Sequence, residues 1–133
     1  MLKKTITYTD FNGVERTEDF YFNLSKTELQ EMELSIDGGM SAKLSSIQAA
    51  KDMKEMRNFF EFIIRKAYGE KSPDGRRLMK EDGKLAQAFI ETPAYDILFQ
   101  ELLLGDHTLT EFLIGIVPSD VAAQVRTNLN SEN

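Results

Sequence analysis

The sequence predicts an α+β protein that is mainly helical, with an N-terminal two-stranded β-hairpin packed on a bundle of about four to six helices. Apolar and polar residues alternate over the first 24 positions, which is typical of half-buried strands. From about residue 41 the apolar residues recur every three or four positions, which is typical of helices. Because 133 residues is the length of one ordinary domain, we expect a single domain comprising the hairpin (1–24), a helical body (25–129) and a polar tail (130–133).

The hairpin is predicted by the dipeptide Asn12-Gly13, which lies between two strands that each carry apolar residues on one face. A two-residue loop would pair Ile6 with Asp19 and put the two apolar sets on opposite faces, because a shift of one position turns every side chain over. A loop of three residues, with Gly13 at positive φ, or a loop of five residues aligns the sets. We therefore expect an odd loop, meaning one with an odd number of residues. The aligned residues are Leu2, Ile6 and Tyr8 in the first strand and Phe20, Phe22 and Leu24 in the second.

The first helix is predicted by a capping box. The hydroxyl of Ser25 can accept a hydrogen bond from the backbone N–H of Glu28, and the Glu28 carboxylate can accept one from the backbone N–H of Ser25. We expect this helix to cover Lys26–Leu34 and to end at Asp37-Gly38-Gly39, because glycine readily leaves the helical conformation.

The strongest helical pattern lies between about Ser41 and Tyr68, which we interpret as one long helix. Further apolar residues widen its stripe beyond a coiled-coil seam, so we expect other helices to cover it on more than one side. Gly69 should end the helix, and Ser72-Pro73-Asp74-Gly75 should form a turn. The stripe itself consists of Ala49, Met53, Met56, Phe60, Ile63 and Ala67.

The last third of the chain predicts short helices that begin at recognisable caps. The first covers Lys84–Ile90, and the second starts at Pro93 after the N-cap Thr92. The third is opened by the capping box of Thr108 and Glu111 and ended by Pro118. The fourth covers Val121–Leu129 after the cap Ser119.

The acidic composition narrows the class of partner. The net charge is −6 and the isoelectric point is about 4.8, so we expect no nucleic acid and no membrane as partner, since both are bound through positive patches. The absence of cysteine excludes disulfides and thiolate catalysis. The apolar cluster Phe112–Val117 is far shorter than the ~20 residues that span a bilayer, and no signal-like stretch opens the chain, so we expect a cytosolic protein.

No recognisable catalytic, cofactor or metal motif is present, and we predict a protein that is not an enzyme and uses no cofactor. His107 is the only histidine, which excludes sites built from several histidines, and we interpret it as an exposed residue before a helix. Gly38-Gly39 lacks the spacing and the lysine of a phosphate loop. Two carboxylate pairs are interpreted as solvated helix faces, namely Glu28 with Glu31 and Glu55 with Glu61.

Two further features of the sequence could take part in binding. The basic segment Lys71–Arg77 stands out in an acidic chain, and we interpret it as an exposed loop between helices, with an anion site as the alternative. Methionines offer pliable apolar surface of the kind found at adaptable binding faces, although we expect most of them in the core: Met32, Met40, Met53, Met56 and Met79.

Three parts of the sequence are similar to one family of phage proteins. They are Lys4–Gly13 with Phe20–Leu29, Phe59–Gly69 with Ser72–Arg77, and Phe89–Tyr95 with Phe112–Pro118. In these parts, which together touch nearly the whole chain, the sequence resembles the small tail assembly chaperones of long-tailed siphophages. Those proteins are translated just before the tape-measure protein.

The resemblance implies a non-catalytic protein that binds the tape-measure protein, keeps it soluble and helps to recruit tail-tube subunits. It also implies action in the cytoplasm of the infected bacterial host and absence from the mature virion. Such families are often also made as a longer frameshifted product, and this chain would be the short one. Homo-oligomer formation is left open, and no residue is carried over from the family as a protein-binding site.

Two other functions remain as alternatives. The first is a structural or connector protein that stays in the virion of a tailed phage. The second is an inhibitor of a host enzyme, in which the acidic surface would mimic nucleic acid.

Overall fold

The computed structural model describes residues 1–104 and 108–123, in which an antiparallel sheet packs on helices. The strands are β1 (Leu2–Thr9), β2 (Glu15–Phe22), β3 (Tyr68–Lys71) and β4 (Leu78–Met79). The helices are α1 (Lys26–Ser35), α2 (Gly39–Ala50), α3 (Met53–Ala67), α4 (Lys84–Ile90), α5 (Pro93–Leu104) and α6 (Thr108–Ile116), with a 3-10 helix at Glu81–Gly83 and helical backbone again at 119–123.

The sheet has four strands in the order β1-β2-β3-β4, so the prediction of a two-stranded sheet is wrong. The N-terminal hairpin forms as expected, but β3 adds to it through the pairs Tyr21–Gly69 and Phe22–Tyr68, and β4 adds to β3. The two added strands are four and two residues long. Strands this short are not visible as an alternating pattern in the sequence.

The register of the N-terminal hairpin agrees with the expected odd loop. Leu2 pairs with Phe22 and Ile6 pairs with Glu18, which places the apolar residues of both strands on one face. The loop covers five residues, 10–14, and Gly13 adopts a φ of 79°. Its ends are closed by a hydrogen bond from the Asp10 N–H to the Val14 carbonyl at 2.9 Å.

The capping box at the start of α1 is confirmed. The N–H of Glu28 donates to Ser25 Oγ at 3.1 Å, and the N–H of Ser25 donates to Glu28 Oε1 at 2.9 Å. The helix ends at Ser35, one residue beyond the predicted end. The glycines that follow lead directly into α2.

The single helix predicted over residues 41–68 is in fact two helices, α2 and α3. The break lies at Lys51, whose φ of 53° is left-handed, and Asp52 then caps α3 by accepting two N–H groups of its first turn at 3.1 and 3.3 Å. The apolar spacing continues across this cap, which explains why periodicity does not detect the break. Ala49 is consequently exposed, whereas the later stripe residues Phe60, Ile63 and Ala67 are buried.

Gly69 does not end a helix as predicted, because α3 already ends at Ala67 and Gly69 lies in β3. A Cβ atom at this position would lie 2.7 Å from Leu78 Cγ and 2.8 Å from the Met79 carbonyl oxygen. Glycine therefore permits the close approach of β4 to β3. The predicted turn at 72–75 is present, and it joins these two strands.

The last third follows the predicted helices closely. α4 has the predicted bounds, α5 begins at Pro93, and α6 ends two residues before Pro118. The hydroxyl of Thr92 donates to the Phe89 carbonyl at 2.7 Å, so this side chain closes the end of α4 before α5 begins. The side chain of the predicted cap Thr108 lies outside the described part of the structure, as do residues 124–133 with the rest of the last predicted helix and the polar tail.

The ammonium group of Lys80 connects the second hairpin, which consists of β3 and β4, to the rest of the fold. Lys80 Nζ donates to the Asn23 carbonyl at 2.9 Å, to the Lys66 carbonyl at 2.6 Å and to Glu28 Oε2 at 2.6 Å, which uses all three of its N–H donors. Burial alone would raise the pKa of Glu28. Hydrogen bonds from Lys80 and from the Ser25 N–H outweigh it and hold the pKa below its ordinary value.

Replacing Phe60 and its neighbour Glu61 should separate core from surface on α3. Phe60→Ala should lower the free energy of unfolding by about 3–5 kcal/mol, because the ring is fully buried and leaves a cavity. Glu61→Ala should lower it by less than ~0.5 kcal/mol, because Glu61 is partly exposed and loses one surface ion pair with Arg65. Urea unfolding of both variants checks this, and equal losses would mean that the buried face is misassigned.

The Glu28–Lys80 contact should make stability depend on pH in acid. Because the pKa of Glu28 is lower in the folded chain than its ordinary value of 4.5, its contribution is complete above pH 4.5 and is lost as the pH falls through the folded value. Glu28→Gln should therefore be less stable than the parent at neutral pH, and the difference should shrink in more acidic solution. Urea midpoints measured across this range test the expectation, and a difference that does not vary with pH would contradict it.

Candidate protein-binding surface

An apolar groove of about 120 Å³ lies where α1, α2, α3 and α6 meet. Its floor consists of buried side chains, and its rim consists of half-buried ones and one exposed residue, so an apolar partner could reach it without unfolding the chain. Among the lining residues that the structure describes, Glu33 alone is an acid or a base. The lining comprises Leu24, Leu29, Glu33, Met40, Leu44, Phe59, Leu113, Val117 and Val121.

The corner between α1 and α2 places Met40 on the rim of the groove. Glu33 Oε1 accepts a hydrogen bond from the Met40 N–H at 2.8 Å, which satisfies one of the free donors at the start of α2. Gly39 has a φ of 86°, and a Cβ atom there would collide with the Glu33 carboxylate. Glycine is therefore favoured by the backbone conformation, and a larger residue would make the exposed Glu33 carboxylate move aside.

The opposite wall of the groove follows α6. The Ala122 N–H donates to the Pro118 carbonyl at 2.8 Å, so the backbone turns back into a helix directly after the proline and brings Val121 to the groove. Lys26 at the start of α1 pairs with Asp120 at 2.7 Å, and the hydrogen bond from Lys26 lowers the pKa of the Asp120 carboxyl. Both side chains are more than half exposed, so this ion pair positions the wall more than it stabilises it.

This arrangement is suited to receiving the apolar face of a helix. Grooves of this kind bind amphipathic helices through apolar side chains spaced three or four residues apart. The methionine on the rim is flexible and can adapt to side chains of different shape. With the one carboxylate of the lining already bound to a backbone N–H, the groove offers a partner mainly apolar contact.

Comparison with known families decides what kind of protein contains this groove. A family model described as phage tail assembly chaperone matches residues 1–133. The chain belongs to this family of phage tail assembly chaperones. No curated protein and no solved structure matches the chain. Membership implies a non-catalytic role and interaction with phage tail proteins.

Of the four carboxylates that the sequence analysis grouped into two pairs, three form ion pairs with lysine or arginine side chains in the chaperone. Glu55 pairs with Lys43 at 3.5 Å, Glu61 pairs with Arg65 at 3.2 Å, and Glu28 is held by Lys80. Glu31 is exposed. The Glu55 pair joins α2 to α3, the Glu61 pair lies within α3, and the Glu28 pair joins α1 to the segment after β4, so these contacts do not assemble a pair of carboxylates around a common point.

The methionines divide between core and surface. Met32 is buried, Met56 and Met79 are half-buried, Met53 is more than half exposed, and Met40 lines the groove. The sequence had suggested pliable apolar surface without saying which methionine supplies it. The sequence pattern predicts Leu24 only as an apolar strand residue and does not indicate that Val117 and Val121 line a groove. The spacing of the two valines around Pro118 is the one signal that could indicate them.

The basic segment 71–77 is an exposed turn, but it joins two strands and not two helices. Ser72 is buried at its base, where its hydroxyl donates to Asp74 Oδ1 at 2.6 Å and accepts from the Arg77 N–H at 3.1 Å. The hydrogen bond from Ser72 lowers the pKa of the Asp74 carboxyl. The polar groups at the base of the turn are thus bonded to one another.

Other predicted sites can be placed only in part. His107 lies outside the described residues. Over the ranges 1–104 and 108–123, no three acidic or histidine side chains are grouped as a metal site would require. None of the helices described there is both long and apolar enough to cross a bilayer.

Substitution of Gly39 should weaken the corner that places Met40 in the groove. Gly39→Ala should lower the free energy of unfolding by about 2–4 kcal/mol, because alanine is strained at positive φ and displaces the Glu33 carboxylate from the Met40 N–H. Gly75→Ala is the matched control, since Gly75 also has positive φ but no atom near its Cβ position, and it should lose only about 1–2 kcal/mol. Equal losses in urea unfolding would show that the Glu33 contact adds nothing.

Proposed function

We propose that this chaperone binds an amphipathic helix of the tape-measure protein in the apolar groove, keeps that protein soluble during assembly, and helps to recruit tail-tube subunits. The single observation that supports this most directly is the lining of the groove, in which eight of the nine described residues are apolar. Family membership supplies the setting, the assembly of a phage tail, and we place this step in the cytoplasm of the infected host. The chaperone would leave before the virion is complete, and it would catalyse no reaction.

The apolar lining of the groove sets an upper limit on the strength of such binding. Each apolar side chain that a partner buries contributes about 1.5–3 kcal/mol. Three anchors would therefore supply about 5–9 kcal/mol before the loss of motional freedom is subtracted. A complex of this strength is reversible, which suits a protein that must be released.

The acidic surface suits the same role. A net charge of −6 keeps copies of the chaperone apart and disfavours binding to nucleic acid in the host cell. Apolar contact would then be concentrated in the groove, while the charged surface keeps the complex in solution. A long amphipathic partner would be covered without being precipitated.

Co-expression should test the proposal in its simplest form. We expect the tape-measure protein encoded by the same genome to stay in the soluble fraction when the chaperone is present, and the complex to survive ~0.5 M salt, because apolar contacts are not screened. An insoluble tape-measure protein would contradict the proposal. Stoichiometric amounts of the chain in mature particles would favour a structural protein of the virion instead.

Two methionine variants locate the binding surface. Met40→Glu puts a charge on the rim of the groove and should weaken the complex at least tenfold, because the carboxylate must lose water when a helix covers it. Met53→Glu makes the same change at an exposed residue that does not line the groove, and it should leave affinity within about twofold. Affinities of purified complexes measure both, and equal effects would place the partner elsewhere.

A further inference from the structure

Strands β2 and β3 separate soon after they meet. All eight residues of β2 pair with β1, but within the described part of the chain only Tyr21 and Phe22 pair with β3. The preceding residues of β2 therefore have a strand neighbour on one side alone. An open strand edge of this kind is able to pair with another extended segment.

The backbone groups of Asp19 face this open side. Residues of an antiparallel strand direct their N–H and C=O groups alternately to opposite sides. The Asp10 N–H bonds to the Val14 carbonyl, so the even-numbered residues of β2 face β1. The Asn23 N–H bonds to the Ala67 carbonyl on the other side at 2.9 Å, so the odd-numbered residues, including Asp19, face β3.

Lys71 faces the same opening from β3. The Ser72 N–H bonds to the Arg77 carbonyl at 2.9 Å across the second hairpin, so the even-numbered residues of this segment face β4 and Lys71 faces β2. Continuing the register Tyr21–Gly69 by two residues would bring Asp19 opposite Lys71. The strands diverge before that pair forms.

A cleft of about 440 Å³ occupies the space between the diverging strands, and we call it the strand cleft. Its volume falls within the range of ~300–1,000 Å³ that is usual for ligand pockets. The base of the strand cleft is formed by α4, where the Phe89 ring stacks on Tyr68 at 4.5 Å between centroids. Its walls include Glu18 and Asp19 on one side and Glu70 and Lys71 on the other.

The charge of the strand cleft is predominantly negative. Among its described wall residues, Glu18, Asp19 and Glu70 are acidic, and Lys71, which lies over the ring of Tyr21 at 5.2 Å, is the one cation. Glu18 also accepts the Tyr8 hydroxyl and lies 3.9 Å from Arg16 outside the cleft, whereas Glu70 faces the opening. Burial raises the pKa of Tyr68 to about 12, and the charges of Glu70 and Glu18 add to this effect. Both carboxylates therefore act on the same place at the base of the strand cleft.

We propose that the strand cleft binds an extended segment of a partner protein, which adds beside β2 as a strand and directs a lysine or arginine side chain to Glu18 and Glu70. Strand addition supplies affinity through the backbone groups of Asp19 and Lys71, and the acidic walls select the basic side chain. In the part of the chain that the structure describes, the strand cleft and the apolar groove have no lining residue in common. The inference is therefore independent of what the groove binds.

Short peptides test the site on the full chain. The peptide Thr-Lys-Val-Lys-Thr, blocked at both ends, should shift the amide NMR signals of Asp19 and Lys71 and leave those of the groove unchanged. Its affinity should fall at least threefold in ~0.5 M salt, because exposed charges are screened. The acidic peptide Thr-Glu-Val-Glu-Thr should bind at least tenfold more weakly. Equal binding of the two peptides, shifts elsewhere, or no shifts at millimolar peptide would each overturn the proposal.

A matched pair of variants isolates the backbone contribution. Asp19→Pro and Asp19→Ala both remove the carboxylate that accepts the Thr5 hydroxyl at 2.6 Å, but only the proline also removes the outward N–H. Asp19→Pro should bind the lysine peptide at least tenfold more weakly than Asp19→Ala, and equal affinities would overturn strand addition.

Two further measurements keep the test decisive. If Asp19→Pro does not fold, Glu70→Gln should weaken binding of the lysine peptide at least threefold and leave the neutral peptide Thr-Ser-Val-Ser-Thr unaffected; an unchanged lysine affinity would overturn the charge selection. Self-association of the chain that is lost in Asp19→Pro would show that a second copy occupies the strand cleft, and this outcome would also overturn the proposal.

Discussion

The ring of Phe22 joins the N-terminal hairpin to three other parts of the chain. It is fully buried, and its centroid lies 5.6 Å from that of Tyr68 in β3, 5.7 Å from Phe89 in α4 and 5.2 Å from Phe112 in α6. The ring centroid of Phe112 in turn lies 6.2 Å from that of Phe60, which extends the aromatic cluster to α3. Because aromatic rings bury a large area and prefer tilted or edge-on contacts, this cluster fixes the sheet and the helices against each other.

The two concave surfaces follow from how that cluster is arranged. Stacking of Tyr68 on Phe89 holds β3 against α4, while β2 continues into a hairpin whose loop residue Phe11 is 85% exposed, and the strand cleft opens between them. On the other side, α1 and α2 meet the core through aliphatic side chains and methionine. Their corner is set by one glycine and one carboxylate, and the apolar groove is left open.

Local signals in the sequence predicted the local structure well, and their failures have physical causes. Ser25 and Glu28 specify the start of α1, and Gly13 allows the odd loop, because each acts within a few residues. Periodicity does not detect the break before Asp52, because the apolar spacing continues across it. The sequence pattern does not predict the second hairpin, because its strands are too short to show alternation and because it is held by contacts between Lys80 and distant residues. Both concave surfaces depend on such distant contacts, so the sequence indicated a binding protein and its family without indicating where it binds.

The central claim is that the apolar groove receives a helix of the tape-measure protein, and methionine methyl NMR tests it most directly. Met40 lines the groove and Met53 is exposed outside it, so the two methyl groups report on different surfaces of one helical body. On addition of the tape-measure protein, the Met40 methyl signal should shift or broaden while the Met53 signal stays unchanged. A complex that forms with the Met40 signal unmoved, or with the Met53 signal moving in its place, would contradict the claim.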